Sequence, residues 1–156
     1  MSPSTSKLIF MDPSIPQNEY NLLTYAAYTR LKKMGADPWS LLSNEDQELA
    51  ALWILERDMH NGGFLRFIGD ASDQCISHAM RALKKVEANE CLKALTKLSG
   101  VIASLKDLFF HVRAADIASY LTDEERASID SQNLNYRIHA DRLNEKIFRK
   151  YRPNIN

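Results

Sequence analysis

The most apolar stretch of the chain runs from Leu49 to Leu55, hydrophobic at every position, and is closed by Asn61-Gly62-Gly63-Phe64 with a second aromatic at Phe67. A helix that is apolar all round must be surrounded by protein, and adjacent glycines stop one helix and let another begin almost at once. The pattern predicts a central helix whose end is pinned near the core. Upstream, Tyr20, Leu23, Ala27 and Leu31 share one helical face, Lys32 and Lys33 fall in the last turn, and Gly35 supplies a left-handed cap. Asp37-Pro38 reads as an N-cap with proline at the first helical position, opening a short turn through Trp39, Leu41 and Leu42. Ser43 and Asp46 then form a variant capping box for the central helix.

Downstream, Phe64, Phe67 and Ile68 predict a short helix, and Ile76, Met80, Leu83 and Val86 predict another beginning near Ser72. Asn89 is placed to cap a helix with the stripe Cys91, Leu95, Leu98, Ile102 and Leu105. Gly100 inside it costs about 1 kcal/mol relative to alanine and marks a kink or an end. Thr122 and Glu125 form a capping box for a short acidic helix, and Tyr136, Ala140, Leu143, Ile147 and Tyr151 mark a last helix before Pro153. No alternating strand pattern competes, so the expected fold is all-α, a compact single-domain bundle of about six to eight helices. Residues 1–17, with Pro3, Pro13 and Pro16 among serines, read as an extended arm docked through Phe10, and residues 18–156 as the helical domain.

A chain of 156 residues with 45% hydrophobic positions suits one domain with one core. Twenty basic and twenty acidic residues cancel, so total charge draws the protein toward neither nucleic acid nor an anionic membrane. The charge instead alternates in blocks. Glu45, Asp46, Glu48, Glu56, Asp58, Asp70 and Asp73 meet only Arg57 and Arg66, and the stretch from Ile76 to Arg113 has the opposite bias. Neutralisation between helices accounts for this, the alternative being a dipolar surface for a protein partner. Cys75 and Cys91 lie on apolar stripes and read as buried reduced thiols, which points to the cytoplasm. No leader pattern is seen, and no apolar run approaches the roughly 20 residues a membrane helix needs.

Glu56 extends the stripe of Leu49, Leu52 and Trp53, and a buried carboxylate requires a partner. His60, one turn on, or the backbone N–H groups of the glycine pair can supply it, which makes Glu56 a structural clamp first and a ligand group second. The same N–H groups are candidates to accept an anion. His60, His78, His111 and His139 contain no pair spaced for two ligands on one helical face, so no metal and no cofactor are expected. No nucleophile elbow, phosphate loop or Cys-x-x-Cys motif appears, and no catalytic residue is assigned. Arg81, Lys84, Lys85, Lys93 and Lys97 read as a solvated face rather than phosphate contacts, and Trp39 and Trp53 as core anchors.

The block Ala51-Leu52-Trp53-Ile54-Leu55-Glu56-Arg57-Asp58-Met59-His60-Asn61-Gly62-Gly63-Phe64-Leu65-Arg66-Phe67 resembles the bacterial family of the neisserial DNA-mimic protein, a likeness extending from about Ser43 to Tyr151. Ile68-Gly69-Asp70 and Val86-Glu87-Ala88 depart from the usual residues of that family, as in a divergent member. The resemblance implies a small helical fold and, from the characterised member, an acidic surface that a transcription factor binds in place of DNA. Such mimicry needs uncompensated carboxylates spaced like phosphates, and a net charge of zero does not carry it over.

The expected function is a non-enzymatic, regulatory protein-interaction module that binds another protein through Glu45, Glu48, Asp58, Asp70 and Asp73. The alternative is a small-molecule-binding or hydrolytic protein with a pocket at Glu56, His60, Asn61, Gly62, Gly63, Phe64 and Phe67. Nucleic acid is the less expected partner. A homodimer through an exposed apolar strip on the last helix is left open.

Overall fold

The structure, a computed structural model, describes residues 17–35, 38–103 and 114–151, with backbone alone at residues 17–21 and 114–115. Seven α-helices occur among these residues: α1 (Gln17–Lys33), α2 (Asn44–Asn61), α3 (Phe64–Asp70), α4 (Asp73–Lys85), α5 (Asn89–Ala103), α6 (Asp123–His139) and α7 (Leu143–Tyr151). Short 3-10 turns at Trp39–Leu41, Ala114–Tyr120 and Ala140–Arg142 complete the order, and no strand occurs among the described residues. The fold is an all-α single domain. Residues 1–16 of the arm, with Phe10, lie outside the described residues, as do Asp37, Leu105 and His111, whereas Gln17 already belongs to α1.

α2 occupies the centre because its sequence leaves no polar face along its middle turns. Leu49, Ala50, Ala51, Leu52, Ile54 and Leu55 are buried, and α1, α3, α4 and α6 pack around them. Trp53 is half-buried and meets Tyr25 edge-on at 4.9 Å, whereas Trp39 is buried against the core. The start of α2 is half a capping box. Ser43 Oγ accepts the Asp46 N–H at 3.1 Å, but the Asp46 carboxylate turns to Arg30 of α1, with contacts of 2.9 and 2.7 Å. The end is set by Gly62 and Gly63, whose N–H groups both donate to the Asp58 carbonyl at 2.9 Å. Gly35 adopts φ +87° just beyond α1, the left-handed conformation that its position requires.

Four local expectations change. The buried line of α4 is Cys75, Ala79, Ala82 and Leu83, with Ile76 and Met80 only half-buried, because the small residues face the close approach to α2. α5 begins at Asn89, and the cap position falls to Ala88, whose carbonyl accepts the Leu92 N–H at 2.9 Å. Gly100 does not end that helix, which continues to Ala103. Thr122 and Glu125 form the expected capping box, at 3.0 and 2.8 Å, but the helix it starts is 17 residues long and already contains Tyr136. The last apolar stripe is therefore divided between α6 and α7 by the turn at Ala140–Arg142, although all five of its members are buried. Cys75 and Cys91 are buried and free, and burial pushes both thiols up to about 12. No helix among the described residues is long and apolar enough to cross a membrane.

Candidate functional site

Carboxylates at Glu48, Glu56 and Asp58 bring three acids of α2 into the interior, where each needs donors that the helix itself cannot supply. Glu48, 1% exposed, receives Arg81 Nε and Lys85 Nζ, each at 2.6 Å, and the Tyr151 hydroxyl at 2.8 Å. Burial alone would raise its pKa. The hydrogen bonds from Lys85, Arg81 and Tyr151 outweigh that and hold the carboxyl below its usual range. This network joins α2 to α4 and α7.

Glu56 sits two turns further on and is 7% exposed. Its Oε2 accepts the hydroxyl of the fully buried Tyr136 at 2.5 Å, and its Oε1 lies 3.5 Å from His60 Nε2. The Glu56 carboxylate beside it raises the His60 pKa, with burial working against it. The clamp role expected for Glu56 is thus filled chiefly by Tyr136 of α6, and not by the glycine N–H groups, which are committed to the Asp58 carbonyl. Asp58 is completely buried, with Arg57 Nε at 3.0 Å and Arg66 Nε at 3.6 Å on one of its oxygens. Burial raises its pKa despite Arg57. Glu56 Oε1 and Asp58 Oδ2 are buried without a hydrogen bond.

The corner after α2 is locked from a distance. Asn133 of α6 accepts the Phe64 N–H at 3.1 Å, and Gly63 has φ +80°. A Cβ added at Gly63 would stand 2.8 Å from the Asn133 amide nitrogen, and one at Gly62 would stand 2.8 Å from Arg66 Cδ. Phe64 and Phe67 are buried with ring centres 6.2 Å apart, while Asn61 is exposed and donates to the Arg57 carbonyl at 2.7 Å. With the Gly62, Gly63 and Phe64 N–H groups all taken, the corner does not present the anion-accepting donors expected of it.

The five acids assigned to one contact face separate. Glu48 and Asp58 are interior, because each lies on the side of α2 that packs against other helices, and this corrects their placement on a surface. Glu45 is half-buried, and Asp70 and Asp73 are exposed. Asp70 stands 3.6 Å from Arg66. Arg81 and Lys85, read as a solvated face, are exposed and also serve as the counterions of Glu48. Tyr136, Tyr151 and Asn133 were not singled out as site residues. The available signal was a hydroxyl on a core stripe at Tyr136 and Tyr151, since a buried tyrosine needs a hydrogen-bond partner.

The surface clefts include two of moderate size. One, of about 340 Å³, lies between Tyr28, Trp39, Arg57 and Asp70, and another, of about 270 Å³, lies at Glu87–Cys91 beside His139 and Lys146. Neither reaches Glu56 or His60. Among the described residues no group of three or more His, Cys, Asp or Glu is placed to hold a metal ion. No curated protein and no solved structure matches the chain significantly. The profile of a family described as DMP19-like protein does match, over residues 40–151, a span holding the glycine corner and all three buried acids. That span is well over half of the chain, and the protein belongs to the DMP19-like protein family.

Proposed function

We propose that the protein is a non-enzymatic, regulatory interaction module of the cytoplasm that binds another protein through the acids Glu45, Asp70 and Asp73. The observation that supports a binding role over a catalytic one is the closure of Glu56. Its carboxylate is 7% exposed, is covered by Tyr136 and lines neither of these two clefts. The acids of α2 and α3 are also extensively paired, Asp46 with Arg30, Glu48 with Arg81 and Lys85, and Asp70 with Arg66. Paired acids do not form a phosphate-like array, so the reading takes protein binding from the family and leaves DNA mimicry aside.

The test is affinity capture from the native host with the wild-type chain and with the triple variant Glu45→Lys, Asp70→Lys, Asp73→Lys. A protein retained by the first and lost by the second supports this contact; equal retention removes it. A small-molecule or hydrolytic role has one observation in its favour, the unbonded Glu56 Oε1 beside an imidazole 24% exposed. Ester or amide turnover abolished by Glu56→Gln and by His60→Ala would establish that reading instead.

A further inference from the structure

The outer side of α6 carries a pattern that the proposed contact does not use. Ala127, Ser131, Leu134 and Ile138 are all exposed and follow one another at intervals of four, three and four residues. Leu134 is 52% exposed and Ile138 56%, both among the large apolar side chains left open to solvent. The opposite side of the helix, with Ile129 and Tyr136, is already buried where α6 packs against α5 and α2. Alternation of three and four is the spacing of a helix–helix seam, and nothing among the described residues covers it.

Charge along α6 is polarised as well. Its start carries Asp123, Glu124, Glu125 and Asp130 against Arg126 alone, and its end carries Arg137 and His139, followed by Arg142 beside Asp141. We propose that this stripe is where two copies of the chain associate, by antiparallel packing of α6 on α6 about a two-fold axis.

Two features of the sequence favour that occupant. An axis passing between positions 131 and 134 sets Ser131 against Leu134 and Ala127 against Ile138, so each large apolar side chain meets a small one. The same rotation lays the acidic start of one helix along the basic end of the other, and draws Asp130 toward Arg137, whereas parallel packing would oppose like charges. A 17-residue helix is about 25 Å long, and one helix pair lies at the small end of specific interfaces, so the dimer forms and dissociates with concentration. The surface is separate from Glu45, Asp70 and Asp73, and its failure leaves the proposed function standing.

Sedimentation velocity of the full chain over a dilution series tests the proposal. The wild type is expected to self-associate, and Leu134→Glu with Ile138→Glu to weaken association at least about tenfold while the circular dichroism of the monomer is unchanged. The variants Glu124→Lys/Asp130→Lys and Arg137→Glu/Arg142→Glu should each lose self-association by a similar factor, and an equimolar mixture of the two should recover it as a heterodimer. A wild type that stays monomeric at the highest concentration overturns the proposal. So does association that survives these substitutions, or a mixture no better associated than either variant alone.

Discussion

The two ends of α2 handle buried acid differently. At the N-terminal end Glu48 collects two cations and a hydroxyl, and its pKa falls. At the C-terminal end Glu56 has a phenol and a more distant imidazole, Asp58 has arginines on one oxygen only, and the Asp58 pKa rises. Burial is common to both ends, so burial alone does not decide the outcome. The number of donors that arrive does, because a desolvated carboxylate recovers its lost hydration only through hydrogen bonds. The first end fastens α2 to α4 and α7, and the second depends on α6 and the glycine corner.

Removing the better-served acid should have the largest effect. Glu48→Ala leaves the buried Tyr151 hydroxyl without its acceptor while Arg81 and Lys85, about two-fifths exposed, return to solvent, and it should cost about 2–4 kcal/mol in urea unfolding. The sharper comparison is between the tyrosines. Tyr136→Phe takes from Glu56 its one hydrogen-bonded side chain and should cost about 1–3 kcal/mol, whereas Tyr151→Phe leaves Glu48 its two cations and should cost about 1 kcal/mol. Equal losses would break the comparison.

The glycines extend it to the backbone. Gly63→Ala combines φ +80° with a contact of 2.8 Å to Asn133 and should cost about 2 kcal/mol, whereas Gly35→Ala, at φ +87° in open space, should cost about 1 kcal/mol. Thermal unfolding of the two variants side by side measures how much of the effect belongs to the α6 contact.

The smallest effects are those of pH. Glu56 holds the His60 pKa above its ordinary 6.5, so this contribution is complete below the unfolded value and is lost as pH rises through the folded one. Glu48 behaves oppositely. Its pKa is depressed, so its contribution is complete above the ordinary carboxyl value and is lost as pH falls through the lower folded one. Urea midpoints measured across pH should therefore decline on both sides. His60→Gln should remove the alkaline decline and Glu48→Gln should diminish the acidic one, and an unchanged profile in either variant would remove that assignment.

What could be read from the chain was local. Leu49 to Leu55 identify the central helix because an apolar residue at every position leaves no side for water, and Ser43, Thr122, Gly35 and the Gly62-Gly63 pair mark ends because capping depends on neighbours three or four positions away. The burial of Glu56 followed from its spacing behind Leu49, Leu52 and Trp53. Tertiary structure alone decided the rest: that Glu48 and Asp58 turn inward, that α4 faces α2 with its small residues, and that the last stripe bends between α6 and α7. It also chose the partners, since Tyr136 reaches Glu56 across 80 residues and Tyr151 reaches Glu48 across 103. Helical periodicity repeats every few residues and is written in each segment, whereas the donor that meets a buried acid is set by how distant helices pack, which no single segment encodes.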